Sequence, residues 1–267
     1  MNRRQIFSVL AAIVVSLNER SAHAEAQTLD QLLDQYSNDP TMLEEAWLYR
    51  DRTVSRGVGR GTPSKRAISQ RATEIIIRLE VGSKERYESR YQAPIWPKGE
   101  SGVTIGIGYD LRYATLSLLK RDWGALIDNT ILHEFEPALG MRGANAAAMT
   151  PRFSNIRIPW NAAITQFNAY LPYAIADTEE IFPNSSKLSD DSLGALVSLV
   201  YNRGKALPSK KPSRREMVAI HDLMVLSNFA PIPNQIRSMK RLWTTKDSRG
   251  LVIRRKIEAE LFESGMT

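Results

Sequence analysis

Cysteine is absent from the sequence, and histidine is scarce, with three residues among 267. The lack of cysteine excludes disulfides, thiolate metal sites and cysteine nucleophiles together. One histidine, His23, falls in the N-terminal leader described below, which leaves His133 and His221. Two separated histidines do not make a zinc-binding cluster, and they supply a Ser-His-Asp triad poorly. We therefore expect no metal and no organic cofactor.

Long apolar runs are also missing. The run Ile6–Leu17 is shorter than the roughly 20 residues that a membrane-spanning helix needs. It follows Arg3-Arg4 and precedes Ala22-His23-Ala24, so the start of the chain has the three regions of a secretory signal. An uncleaved anchor or a buried helix would need only the apolar run. We predict a cleaved signal over residues 1–24, export to the periplasm or the medium, and no stable membrane insertion.

Acidic residues are fewer than basic ones, and the formal net charge is +7. The leader holds three arginines and one glutamate, so the chain stays basic after cleavage. A basic exported protein suits a polyanionic partner such as a cell wall, a membrane surface or a nucleic acid. Solubility alone is the simpler explanation, and charge does not distinguish these alternatives.

The rest of the chain divides by its pattern at about residue 65. Residues 25–65 read as an N-terminal helical segment and a linker. Thr28–Arg50 is amphipathic and is broken near Asp39-Pro40, and Ser55–Gly61 is rich in glycine and arginine. Residues 28–50 could dock a partner protein. Residues 66–267 form the predicted main domain.

The first helix of this domain carries an acid at its end. Thr62-Pro63 resembles a helix start, and Gly82 is a natural stop. The apolar residues between them recur at helical spacing, so Glu80 falls in the last turn beside an apolar face. The negative end of the helix dipole and partial burial would both raise the pKa of the Glu80 carboxyl.

A short strand-like stretch follows, and helical patterns occupy the rest. Val103–Tyr109 alternates like a strand and contains closely spaced glycines, which predicts a small hairpin or three-stranded sheet within Glu85–Asp110. From Ala114 onward the periodicity is helical. We predict an α+β fold that is mostly helical, with a small antiparallel sheet beside a cleft.

Two of these residues suit the cleavage of a glycosidic bond. That reaction needs a protonated carboxylic acid for the leaving oxygen and a group that places water or stabilises the oxocarbenium-like charge. Glu80 suits the acid. Thr104 offers a hydroxyl, within the glycine-rich strand, that can hold a water beside a sugar ring.

Several strings of the sequence also match a known family. They are Glu80-Val81-Gly82, Pro94, Trp96, Pro97, Ser101–Leu111, Ala195–Gly204, Arg214–Met217, Gly250–Arg255 and Glu258-Ala259. These strings resemble the phage-type lysozymes (endolysins), and within them an exported bacterial branch. The resemblance runs from about Ala67 to the C-terminus.

The resemblance implies a lysozyme-like fold and cleavage of peptidoglycan between N-acetylmuramic acid and N-acetylglucosamine. It implies Glu80 as the general acid and Thr104 as the residue that positions water. The family's aspartate, however, aligns with Lys98, and no aspartate lies between Glu80 and Thr104. Glu100 and Asp110 are the candidates for the second catalytic group.

Residues that bind substrate are predicted on both sides of the cleft. Trp96 and Tyr109 offer flat aromatic area to the apolar faces of sugars, or else form a small core beneath the sheet. Tyr201, Asn202 and Arg203 are candidates from the helical part. Peptidoglycan, rather than nucleic acid, is the expected partner.

Two alternatives to a muramidase follow from the missing aspartate. A lytic transglycosylase uses one glutamate and lets the 6-hydroxyl of the sugar attack, so it needs no second carboxylate. A non-catalytic peptidoglycan-binding protein on a lysozyme scaffold needs none, because a fold does not fix a function.

Overall fold

The computed structural model describes residues 27–48, 61–207 and 211–266. The predicted signal over residues 1–24 and residues 55–60 of the predicted linker lie outside these ranges. The α-helices are α1 (Leu29–Asn38), α2 (Pro40–Leu48), α3 (Gln70–Val81), α4 (Lys84–Arg86), α5 (Leu116–Trp123), α6 (Asn129–Glu134), α7 (Gly143–Met149), α8 (Trp160–Ile181), α9 (Asp190–Arg203), α10 (Arg215–Val225), α11 (Ile232–Ser238) and α12 (Arg249–Ser264).

Short helical turns connect several of these elements. Tyr87–Tyr91 forms one turn of π-helix directly after α4. The 3₁₀ turns are Leu111–Tyr113, Glu136–Ala138, Thr150–Phe153, Ser185–Lys187, Pro212–Arg214, Met239–Leu242 and Lys246–Ser248.

The sheet is a single short hairpin. Strand β1 (Thr104–Ile105) pairs antiparallel with β2 (Tyr109–Asp110), and Ile95 bridges to Thr104 on the other side. Gly106 lies in the connecting turn at φ 56°, and a Cβ there would lie 2.6 Å from the Trp123 ring. The turn therefore needs glycine for its conformation and for its close approach to α5. The predicted α+β class with a small antiparallel sheet is confirmed.

Helix α3 begins later than the sequence suggested. Its N-cap is Ser69, whose side chain accepts a hydrogen bond from the Ala72 N–H, so the start predicted at Thr62-Pro63 is wrong. The preceding residues 61–68 are not helical, and Arg66 holds them by donating to the carbonyls of Ser185 and Leu188. The end at Val81, followed by Gly82 at φ 81°, is as predicted.

The stretch after α3 is more helical than expected. Lys84–Tyr91, which overlaps the start of the region predicted to form a sheet, continues instead as α4 and a π-helical turn. Tyr87 and Tyr91 are buried there, and the Tyr87 hydroxyl donates to the Ile158 carbonyl at 3.0 Å. Tertiary packing of the two tyrosines therefore stabilises helical structure here, although the proline and glycine residues further along the stretch had suggested turns and strands.

The central helix of the core is α9, whose residues from Ser192 to Arg203 are all buried. It packs against α3, α8 and α12. Gly194 allows the approach to α3, because a Cβ on Gly194 would lie 2.2 Å from the Ala72 Cβ. Because α9 is buried on all sides, its sequence is apolar and rich in small residues rather than amphipathic.

The N-terminal segment belongs to the same core. Helices α1 and α2 pack against α3 and α12, and the apolar faces of both are buried. Gly250 lies against the Met42 backbone, where a Cβ would be 1.8 Å from the carbonyl oxygen. The change of sequence pattern near residue 65 is thus not a boundary in the packing. The apolar face of residues 28–48, which could have docked a partner protein, is covered by α3 and α12 of the same chain.

Within the described ranges, no helix has the length and apolar character that a membrane span requires.

Candidate active site

The candidate site is built at the C-terminal end of α3. The last carbonyls of a helix lack intrahelical partners, and two side chains of the N-terminal segment supply them here. The Tyr36 hydroxyl donates to the Leu79 carbonyl at 3.1 Å, and the Trp47 indole N–H donates to the Glu80 carbonyl at 3.2 Å. The position of Glu80 is therefore fixed from α1 and α2.

The Glu80 side chain forms a buried ion pair. Arg254 Nη1 lies 2.9 Å from Glu80 Oε1, and both side chains are fully buried. Arg254 Nη1 also approaches the Leu79 carbonyl at 3.4 Å. The helix dipole and burial, which the sequence already indicates, favour the neutral acid. The guanidinium of Arg254 is visible only in the structure, and a neighbouring positive charge favours the carboxylate.

Arg254 belongs to a wider buried charge network. Its Nε lies 3.1 Å from Glu258 Oε1, which also accepts from the Ser198 hydroxyl at 2.7 Å. Arg255 Nη2 donates to the same oxygen at 3.0 Å and to Asn202 Oδ1 at 3.1 Å. Burial lowers the pKa of Arg255 to about 9, against the opposing effect of Glu258. The network holds Arg254 rigidly beneath Glu80.

Glu80 and Thr104 line one small inner pocket. Trp47, Val81, Tyr91, Ile95, Pro97, Gly106 and Gly108 complete its lining. Its volume is about 10 Å³, close to the room that one water molecule needs. Thr104 is buried, and its hydroxyl approaches the Gly102 carbonyl at 3.4 Å. The two residues predicted to act together on a sugar and a water are thus neighbours around a water-sized space.

A larger outer pocket adjoins the inner one. It measures about 380 Å³, within the size range of small-molecule sites. It shares Trp47, Tyr91, Ile95 and Pro97 with the inner pocket, and its other lining residues are Glu44, Arg90, Trp96 and Lys98. Of the predicted substrate-binding residues, Trp96 therefore lies in this lining, and its indole N–H donates to the Ser101 carbonyl at 3.2 Å.

Neither candidate for the second carboxylate lines these two pockets. Glu100 is exposed, and its Oε2 lies 3.6 Å from Arg142 Nε. Asp110 is buried, and its Oδ1 accepts from the backbone N–H groups of Gly102 at 3.1 Å and Arg112 at 2.9 Å. Asp110 therefore fastens the base of the hairpin.

The remaining predicted binding residues lie outside both linings. The Tyr109 hydroxyl donates to Asp122 Oδ2 at 2.9 Å, and the Tyr201 hydroxyl donates to the Ile107 carbonyl at 2.8 Å. Asn202 is bonded within the buried network, and Arg203 Nη2 donates to the Ser213 carbonyl at 2.6 Å. Sequence reasoning placed the last three at a cleft, but all three are buried between α9 and its neighbours.

Sequence reasoning missed two residues that the structure brings to the site. Trp47 and Glu44 come from α2, in the segment that was assigned to a separate N-terminal unit. The only signal for them was the amphipathic pattern of that segment, which indicates a buried face without indicating what buries it. Trp47 contacts the end of α3 and Glu44 contacts Arg90, and no local pattern contains these tertiary relationships.

Within residues 27–48, 61–207 and 211–266, no group of three or more His, Asp or Glu side chains is placed to hold a metal ion. No model of a known protein family and no curated protein matches this chain. The chemistry of the site is therefore argued from its own geometry.

Proposed function

We propose that the protein is an exported glycosidase with a lysozyme-like fold that cleaves the glycan strands of peptidoglycan, and that Glu80 is its general acid. One observation carries the proposal. A buried glutamate and a threonine hydroxyl share a water-sized pocket, and this pocket adjoins an aromatic pocket large enough for a sugar.

The first step needs the protonated form of Glu80. Its proton passes to the glycosidic oxygen, the bond from that oxygen to the anomeric carbon breaks, and the sugar ring acquires oxocarbenium character. Glu80 is left as a carboxylate. Arg254, 2.9 Å away, stabilises this charge as it develops.

The second step brings in water in the hydrolytic version. A water held by the Thr104 hydroxyl adds to the anomeric carbon, and its released proton returns to Glu80, which restores the acid. Among the residues that the structure describes, Glu80 supplies the one carboxylate in the lining of the inner pocket. The hydrolytic route therefore depends on Thr104, Glu80 and the backbone around Gly106 and Gly108 to orient the water.

The lack of a second carboxylate favours a second candidate, a lytic transglycosylase. In that reaction the 6-hydroxyl of the muramic acid attacks its own anomeric carbon. The hydroxyl proton passes to Glu80, and the product ends in a 1,6-anhydro ring. The positions of Glu100, exposed beside Arg142, and Asp110, bonded to backbone N–H groups, support this alternative.

Analysis of the products separates the two reactions. The chain from residue 25 onward is incubated with purified peptidoglycan, and the released fragments are identified by mass. Reducing muramic ends support the hydrolase, whereas anhydro ends, which are lighter by one water, support the transglycosylase. Release of no fragments from walls of different chemotypes would contradict both reactions and leave a wall-binding protein.

A further inference from the structure

Two tyrosines, four residues apart, bound the π-helical turn after α4 and contact different parts of the molecule. Tyr87 packs edge to face against Trp160 at a centroid distance of 5.4 Å, and its hydroxyl donates to the Ile158 carbonyl. Tyr91 packs edge to face against Trp47 at 4.9 Å and belongs to the lining of both pockets. Turns of π-helix occur frequently at functional sites. The turn therefore places one tyrosine in the core and the other at the candidate site.

The Tyr91 hydroxyl takes no part in this packing. Among residues 27–48, 61–207 and 211–266 it has no hydrogen-bond partner, although only 7% of the residue is exposed. A buried hydroxyl is almost always hydrogen-bonded. Because Tyr91 lines the two pockets, the available partner of its hydroxyl is a water or a ligand that enters them.

The inner pocket offers few polar side chains to a water. Of the described residues in its lining, Glu80, Tyr91 and Thr104 can bond one, whereas the Trp47 indole N–H already donates to the Glu80 carbonyl. The other lining residues are apolar or glycine: Val81, Ile95, Pro97, Gly106 and Gly108. A volume of about 10 Å³ suits one water, and such a water needs about two to four polar partners. The three side chains meet this need.

The protonation state of Tyr91 limits what it can do there. Burial raises the pKa of its hydroxyl, and the charge of Glu44 acts in the same direction, whereas Arg86 and Arg90 act in the opposite one. The net direction is upward, so Tyr91 is a neutral phenol at neutral pH. A neutral phenol donates and accepts hydrogen bonds and does not act as a nucleophile.

We propose that the Tyr91 hydroxyl is a further catalytic group, which holds the attacking oxygen in the inner pocket together with Thr104. The inference rests on the proposed function and deepens it. An attacking water has two lone pairs and two protons. One lone pair forms the bond to the anomeric carbon, and one proton passes to Glu80. The Thr104 hydroxyl donates toward the Gly102 carbonyl, so its oxygen accepts from the second proton, and the Tyr91 hydroxyl donates to the second lone pair.

A matched pair of variants tests this role. Tyr91→Phe and Tyr87→Phe each remove one hydroxyl and keep the ring with its edge-to-face contact. The chain from residue 25 onward is used in each case. Soluble peptidoglycan fragments of several disaccharide units serve as substrate for kcat and KM, and circular dichroism gives the melting temperature.

The two variants should show opposite effects. Tyr91→Phe should lower kcat about ten- to a hundredfold, as loss of one hydrogen bond made in the transition state does, and should leave KM and the melting temperature unchanged. Tyr87→Phe should leave kcat unchanged and lower the melting temperature by about 2–4 °C, because its hydroxyl loses a buried partner.

A double variant tests whether the two hydroxyls act on the same oxygen. Thr104→Val should also lower kcat. Groups that hold one atom together have effects that do not add. The loss of kcat in Tyr91→Phe combined with Thr104→Val should therefore be smaller than the product of the two single losses.

Four results would overturn the inference. They are an undiminished kcat in Tyr91→Phe, a raised KM with kcat unchanged, a melting temperature lowered as much as in Tyr87→Phe, and fully multiplicative losses in the double variant. The second would make Tyr91 a group that only binds the sugar. These outcomes are distinct from failure of the proposed function. A wild type that cleaves nothing contradicts the glycosidase and the Tyr91 role together, whereas an active wild type with an unaffected Tyr91→Phe contradicts the inference alone.

Discussion

Arg254 Nη1 lies 2.9 Å from Glu80 Oε1, and neither side chain is accessible to solvent. The two residues are 174 positions apart in the sequence, so the final helix completes a site that begins on α3. The same guanidinium lies 3.1 Å from Glu258, which is its second buried carboxylate partner. The ion pair thus links the stability of the core to the proposed chemistry.

Replacement of Arg254 by methionine should damage both stability and activity. It leaves Glu80 and Glu258 buried without their shared cation, and removal of one partner from a buried pair costs about 3–5 kcal/mol. Urea denaturation measures the free energy of unfolding, and fragment release from peptidoglycan measures activity. Lys256→Met, on the exposed face of the same helix, should leave both unchanged. Full activity in Arg254→Met would contradict the role given to the pair.

The two side chains that cap α3 should have different effects when their hydrogen bonds are removed. Tyr36→Phe removes one buried donor to a helix carbonyl and should cost about 1 kcal/mol of unfolding free energy. Trp47→Phe also removes part of a buried ring, so it should cost more. Only Trp47 lines the pockets, so only Trp47→Phe should also lower activity once the variants are compared at a temperature where both are folded. Equal effects on activity would show that Trp47 acts only through stability.

The docking of the N-terminal segment can be tested at Gly250. Alanine is the better helix former by about 1 kcal/mol, but its Cβ would lie 1.8 Å from the Met42 carbonyl oxygen. The clash should outweigh the propensity, so Gly250→Ala should lower the free energy of unfolding by about 1–3 kcal/mol. Gly61→Ala is the control, because nothing lies within 4 Å of a Cβ there. A stabilised Gly250→Ala variant would show that α2 does not pack against α12 as described.

Acid should weaken the protein partly through Glu216. Burial raises the pKa of this carboxyl, but the hydrogen bonds and charge of Arg241, with Nη2 2.8 Å from Oε2, outweigh burial and hold the pKa below its ordinary value. A lowered folded-state pKa contributes stability above the unfolded value, about 4.3, and this contribution is lost as the pH falls through the folded value. The stability difference between wild type and Glu216→Gln should therefore be largest near neutral pH and shrink below about pH 4. A difference that is constant with pH, in thermal melts, would contradict this.

The sequence predicted the features that are local. Gly82 stops α3 after Glu80, and the spacing of the glycines after Thr104 gives the hairpin, because both depend on backbone conformations that only neighbouring residues decide. The start of α3 was misplaced because Thr62-Pro63 and Ser69 are both plausible caps. Arg66 favours the later start, because it holds the residues before Ser69 against a turn more than a hundred residues away in the sequence.

The site residues that the sequence did not predict are far from Glu80 in the sequence. Trp47 and Arg254 meet Glu80 from segments 33 and 174 residues away, and no periodicity connects them. Tyr201, Asn202 and Arg203 were predicted to face the cleft from the helical part of the chain. Each of them instead forms a hydrogen bond with a residue of a neighbouring element.

The most direct test of the glycosidase is release of soluble fragments from purified peptidoglycan by the wild type and by Glu80→Gln. Glu74→Gln, on the exposed face of the same helix, is the control. Loss of a general acid lowers a rate by about 10²–10⁴-fold. We expect fragments from the wild type and from Glu74→Gln, and a loss of that size in a folded Glu80→Gln variant. Undiminished release by Glu80→Gln would contradict the assignment of Glu80, and no release by the wild type would contradict the glycosidase itself.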